Sequence, residues 1–296
     1  MGFFNRNFDR PGPGVPKNAP RKKGAGRFFE VLGRDMGSLF KANLLCALGF
    51  APGAFFVGFG VMAHNLPITV LAGLLGGMLA GPCYAGLHDT VLRALRDEPG
   101  FWWHTYKRAF KSNWKASLVP GALLGILVSS QIFTAMFVLA TGAGVSVVSA
   151  GLLGLNIALT GMCFPFLFGQ LVLMDMPFAG LLKNSLFFGL GNAPRALLMA
   201  LVQTVYWVAV ILFLPISLLW CALFGFALMV LITEMIAYPV MDKTFDLEKQ
   251  FQEKREKDRE VEEKHYKTAA REIRRVEESI AQLKQFNREK SIRAAE

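Results

Sequence analysis

The chain has 296 residues, 53% of them hydrophobic and 18% charged, with a net charge of +10 and a mean hydropathy of +0.38. Only five charges, Asp89, Asp175, Lys183, Arg195 and Glu234, fall within residues 43–92 and 116–240. A soluble globule spreads charge along every amphipathic element, and a disordered chain lacks this apolar content, so both classes are excluded.

Residues 1–26 are basic and carry Pro11, Pro13, Pro16 and Pro20. They read as a flexible arm rather than a cleavable signal, because the first apolar run lies far from them. In 27–42, Phe28, Phe29, Val31, Leu32, Met36, Leu39 and Phe40 alternate with Arg27, Arg34 and Lys41. That pattern predicts an amphipathic interfacial helix leading into the first span. Six stretches then meet the requirement of roughly 20 mostly apolar residues for a membrane crossing. They are 43–63, 67–88, 117–140, 145–170, 196–214 and 217–238. The last two form one long apolar stretch with Pro215 near its middle. Proline is tolerated in membrane helices, so 196–240 reads either as two spans or as one broken helix. The expected fold is all-α: a polytopic bundle of six transmembrane helices with cytoplasmic interfacial helices and a charged C-terminal helix.

Lysine and arginine set the orientation, because cytoplasmic segments retain them. Residues 1–42 hold nine, 93–115 hold six, the connection after the fourth span holds Lys183 and Arg195, and 241–296 hold fifteen. The connections near 64–66, 141–144 and 215–216 hold none. Six spans with both termini cytoplasmic satisfy this distribution. A net basic charge can mark a nucleic-acid binder, but here its placement follows the cytoplasmic leaflet and its anionic lipid.

Residues 81–115 are the most informative. Pro99-Gly100 breaks the helix that continues the second span. Beyond it, Phe101, Trp102, Tyr106, Phe110 and Trp114 recur mostly three or four residues apart, with Lys107, Arg108, Lys111 and Lys115 between them. This predicts a basic, aromatic helix on the membrane surface. Residues 175–195 occupy the same place in the second half, and 107–127 resemble 182–202 in layout. Two copies of span, interfacial helix, span are therefore expected, an arrangement common in transporters.

Gly81, Pro82 and Ala85 are followed by the basic helix end Arg93 and Arg96, the acidic turn Asp97-Glu98, and then Ala109, Phe110, Lys111, Asn113, Trp114 and Lys115. This stretch resembles the YesL-like family of small bacterial integral membrane proteins, with Trp114 where that family usually has phenylalanine. The resemblance covers about residues 36–240 and leaves out the arm and the tail. It implies the bacterial inner membrane and an association with carbohydrate uptake or sensing.

Within the spans, Gln131, Asn156, Gln170, Gln203 and Glu234 are polar. Such groups most often join helices by hydrogen bonds, and they could also line an intramembrane polar path. Glu234 lies within two turns of the predicted rim, where a carboxylate can reach water, and the other reading is a buried functional or pairing role. Asp89 is placed to pair with Arg93 one turn on. His88, Asp89 and His104 do not make a metal motif, and Cys46, Cys83, Cys163 and Cys221 read as packing residues. Gly73, Gly76, Gly77, Ala80 and Gly81 form a small-residue packing face. No cofactor motif and no catalytic constellation is recognised. In the tail, Tyr266, Ala269, Ile273, Val276, Ile280 and Leu283 follow three–four spacing, read equally as a short coiled coil or a lone amphipathic helix.

The expected function is a non-enzymatic accessory or scaffold protein. It contacts anionic lipid at the cytoplasmic leaflet and a protein partner, or a second copy through the tail. The alternative is a small transporter or channel that uses the polar path.

Overall fold

The computed structural model describes residues 21–98, 100–141 and 146–257, and beyond them 260, 261, 264, 266, 268, 275 and 280. It falls into two units, Met1–Met241 and Asp242–Glu296. The described residues contain helices and no strand: α1 (Ala25–Met62), α2 (Leu66–Leu95), α3 (Trp102–Asn113), α4 (Leu118–Thr141), α5 (Val147–Leu173), α6 (Phe178–Gly191), α7 (Ala193–Leu212), α8 (Ile216–Trp220) and α9 (Phe226–Phe245). A five-residue π turn, Cys221–Gly225, joins α8 to α9 and makes one continuous last span of Ile216–Phe245. Among the described residues, six helices are long and apolar enough to cross a membrane, the number expected.

One boundary differs from expectation. No separate interfacial helix precedes the first span, because α1 runs unbroken for 38 residues. At 1.5 Å per residue it is about 57 Å long, nearly twice the hydrocarbon thickness of a bilayer. Nothing between Lys41 and Asn43 interrupts the hydrogen-bond ladder, so the charged stretch and the apolar stretch share one axis. The long apolar stretch 196–240 divides at Phe213–Pro215, as the first of the two readings expected.

Local sequence sets the other boundaries. The Asn65 side chain accepts a hydrogen bond from the Ile68 amide (3.0 Å) and Pro67 sits in the first turn, which together start α2. Ser146 caps α5 through the Ser149 amide (3.1 Å). Asp97 takes a left-handed conformation (φ 55°), ending the helical path after α2.

Helix α2 is the hub and packs against α1, α3, α4 and α5. Its glycines allow this. A Cβ at Gly77 would lie 2.1 Å from the Gly121 carbonyl oxygen of α4, and a Cβ at Gly125 would lie 1.9 Å from the Gly73 carbonyl oxygen. On another face, Gly76 meets Gly53 of α1. Backbones approach this closely only where side chains are absent, which is how helices associate tightly without a hydrophobic driving force. Between α2, α4, α5 and α6, Ala85, Leu124, Phe164, Leu167, Phe168, Leu171 and Leu181 form a buried core. The two halves share a layout: α2 packs on α3 and α4 as α5 packs on α6 and α7.

In the second unit, Asp246 has φ 50° and the Asp242 carboxylate accepts the Glu248 amide (2.8 Å), starting a helix that is described to residue 257. Tyr266 and Ile280 of the heptad pattern are exposed. Ala269, Ile273, Val276 and Leu283 lie outside the described residues.

Candidate functional site

The apolar spans bring two polar residues from far apart in the chain into direct contact. His88 Nδ1 of α2 and Glu234 Oε1 of α9 are 2.7 Å apart, with side-chain exposures of 1% and 0%. Of the two readings of Glu234, the carboxylate in water at the rim is therefore overturned, and the buried pairing one is what the fold shows. The Glu234 position is enclosed because α5 packs beside it at Gly169, where a Cβ would stand 3.1 and 3.2 Å from the two carboxylate oxygens. The imidazole stacks on Phe168 (centroids 5.4 Å) and meets the Tyr84 ring edge-on (4.6 Å). His88 Nε2 and Glu234 Oε2 are buried without hydrogen-bond partners. His104, by contrast, is exposed on α3.

The other polar residues of the spans do not gather around this pair. Gln131 of α4 donates to Asn156 Oδ1 and Thr160 Oγ1 of α5, both at 2.9 Å. Asn156 in turn donates to Ser130 Oγ (2.8 Å). Gln170 of α5 donates to Ser185 Oγ of α6 (3.1 Å), and Gln203 of α7 donates to the Gly161 carbonyl of α5 (3.0 Å). Gln131 and Asn156 together join α4 to α5, Gln170 joins α5 to α6, and Gln203 joins α7 to α5. An open groove between α7 and α9, lined by Leu201, Val205, Tyr206, Met229 and Ile232 among others, contains none of them.

Sequence reading missed Asn43. It is fully buried, and its side chain donates to the Cys221 and Ala222 carbonyls (2.9 and 2.8 Å) and accepts from the Ala227 amide (2.8 Å). A π turn leaves backbone groups out of the regular ladder, and Asn43 satisfies them from α1. An amide at the start of an apolar span was the available signal.

The second constellation surrounds the end of α2. Asp97 accepts from Arg21 Nε (2.8 Å), from Arg27 Nη2 (2.8 and 2.9 Å) and from Arg34 Nη1. The same arginines donate to the carbonyls of Arg96 (3.0 Å), Leu95 (2.8 Å) and Ala94 (2.6 Å). Those are the last carbonyls of α2, where cations complement the helix dipole. Burial raises the Asp97 pKa, but the hydrogen bonds and charges of Arg27 and Arg34 outweigh it and hold the carboxyl below its usual range. Arg93 bridges Asp89 (2.8 Å) and Glu98 (2.9 Å), and Arg96 also binds Glu98 (3.0 Å). Arg27 and Arg34, expected on an amphipathic lipid-facing helix, are therefore held by this clasp.

Helix α3 keeps its own charges outward. Tyr106 and Ala109 are buried, and the Tyr106 ring fills the notch at Gly86, where a Cβ would be 2.7 Å away. Burial pushes the Tyr106 phenol well above its ordinary pKa. Lys107, Arg108, Lys111 and Lys115 are exposed, beside Phe101 (78% exposed), Trp103 (49%) and Trp114 (47%). Lys115 lies over the Trp114 ring at 5.5 Å. None of these four cations has an acidic partner among the described residues. Of the remaining motif residues, Phe110 is half-buried, Asn113 donates back to the Ala109 carbonyl (3.0 Å), Gly81 abuts the Ser117 carbonyl, and Pro82 lies inside α2.

No protein-family model, curated protein or solved structure matches this chain.

Proposed function

We propose that the chain is a non-enzymatic accessory or scaffold protein of the bacterial inner membrane. In this reading both termini are cytoplasmic, and the protein works through its basic end. The observation that carries it is the contrast between two sets of cations at that end. The arginines Arg21, Arg27, Arg34, Arg93 and Arg96 are occupied by Asp89, Asp97 and Glu98, whereas Lys107, Arg108, Lys111 and Lys115 face outward among exposed aromatic rings. That surface suits anionic headgroups and an acidic partner. The resemblance of residues 81–115 to YesL-like proteins is what points to a carbohydrate uptake system. Purification from native membranes tests the reading. A defined partner should co-purify, and neutralising Lys107, Arg108, Lys111 and Lys115 or deleting 241–296 should reduce its recovery. Equal recovery after both changes overturns the proposal.

A small transporter or channel is the second reading. The buried His88–Glu234 pair favours it, because ionisable groups inside a bundle commonly mark a pathway. The placement of Gln131 with Asn156, of Gln170 and of Gln203 at three separate helix contacts weighs against it. Substrate flux in proteoliposomes that disappears in Glu234→Gln would establish it.

A further inference from the structure

A buried pair that serves only to staple two helices is best served by full hydrogen bonding, and an apolar pair of similar volume often does as well. The His88–Glu234 pair has neither property. It spans α2 and α9 with one contact of 2.7 Å, while His88 Nε2 and Glu234 Oε2 are enclosed without partners. The surroundings keep this geometry fixed. Phe168 lies against one face of the imidazole and the Tyr84 edge meets it at 4.6 Å. The missing side chain of Gly169 leaves room for the carboxylate. Each member of the pair thus keeps one buried polar atom, Nε2 or Oε2, that can accept a proton.

We propose that His88 and Glu234 together form a buried proton-binding site linking α2 to the last span. One proton is shared between Nδ1 and Oε1. A further proton arrives from water at Oε2 or Nε2 and leaves by the same route. Only O–H and N–H bonds change, and no electron is transferred. The net charge of the enclosure changes with each proton, so uptake and release alter the energy of holding α9 against α2.

Among the described residues, the charged or titratable groups near the pair include the buried Tyr238, one turn after Glu234 on α9. Arg96, at the end of α2, acts on Glu234 as a cation and connects through Glu98 to Arg93 and Asp89. Tyr84 lies one turn before His88 on α2, with Cys46 of α1 beyond it. From α5 the neighbours are Phe168 and Gly169, which do not titrate. On α9, the adjacent Thr233 hydroxyl donates to its own helix at Met229 and Val230 (3.0 and 3.1 Å).

The test is histidine NMR on the full chain in lipid nanodiscs, with ¹⁵N-labelled imidazoles and His88→Gln to assign the signal. The sequence has four histidines, and the exposed His64 and His104 serve as internal references. The His88 signal should titrate between about pH 4 and 10, and Glu234→Gln should move its midpoint by on the order of one pH unit, a tenfold change in proton affinity. A His88 signal that is constant over this range, or one with the same midpoint in Glu234→Gln, overturns the proposal. If Glu234→Gln does not fold, the double variant His88→Gln/Glu234→Gln replaces it, since two amides hydrogen-bond without exchanging a proton. Thermal stability against pH should then show a step in the unmodified chain that the double variant lacks. A stability–pH profile of the double variant with the same shape as that of the unmodified chain overturns the proposal equally.

Discussion

Glu234 holds His88 across 146 residues of sequence at 2.7 Å, with both side chains sealed from the surface. Removing one member leaves the other buried without its counterpart. Breaking such a pair typically costs about 3–5 kcal/mol, whereas replacing both members with apolar residues costs far less. Glu234→Leu and His88→Leu should therefore each lower the unfolding midpoint sharply in detergent, and the double variant should recover most of the loss. Additive losses in that double-mutant cycle would show that the contact contributes nothing of its own.

The same last span is held a second time, at its π turn. Asn43→Leu would strand the carbonyls of Cys221 and Ala222 and the amide of Ala227. Each stranded buried group costs about 1–3 kcal/mol. The expected readout is a lower melting temperature together with faster hydrogen exchange at residues 221–227 than at 229–240. Unchanged exchange at the turn would mean that the backbone satisfies itself without Asn43.

How much of this was legible beforehand follows from the range of each signal. An apolar run is local, so the six spans, the break at Pro215 and the glycine face of α2 could be read directly. The Asp89–Arg93 pair is one helical turn apart and was equally accessible. Glu234 stood out as a polar residue in apolar surroundings and Asn43 was passed over at the start of a span, but the partners of both lie on other helices, and single-sequence periodicity holds no distance information across 146 or 178 residues. Arg27 and Arg34 misled for the same reason. A cation on an amphipathic helix reads as lipid-facing until its acid, here Asp97, is brought to it by the fold. The continuity of α1 was missed because a change of composition at residue 42 resembled a boundary, although no residue there breaks a helix.

Close backbone packing between α2 and α4 makes Gly77 a sensitive position. The smallest side chain added there would meet the Gly121 carbonyl, which cannot rotate away as a flexible side chain would. Gly77→Ala should push the helices apart and cost about 1–3 kcal/mol, the usual range for overpacking. Gly151→Ala, where the added methyl meets nothing within 4 Å, is the matched control and should not lower stability, since alanine in a helix gains about 0.5–1 kcal/mol over glycine. Equal melting temperatures for the two variants would show that the α2–α4 contact is looser than its geometry states.

The clasp at Asp97 has a definite pH dependence. Its carboxyl pKa is depressed in the fold by Arg27 and Arg34 despite the opposing effect of burial. A depressed carboxylate stabilises above its unfolded pKa, about 3.9, and that contribution disappears as pH falls through the lower folded value. Hydrogen-exchange protection of residues 21–34, corrected for intrinsic rates, should therefore be flat from pH 7 to about pH 5 and decline below about pH 4. The Asp97 side chain is 32% exposed, so solvent screening keeps the effect modest. Asp97→Asn removes the charge at every pH. At neutral pH it should speed tryptic cleavage after Arg21 and Arg27 by about fivefold, the equivalent of a contribution near 1 kcal/mol. It should also flatten the acid limb of the exchange profile. If the variant kept that limb, another carboxylate, Asp35 or Glu30, would be the group that titrates, and the three arginines would be held by the α2 carbonyls alone.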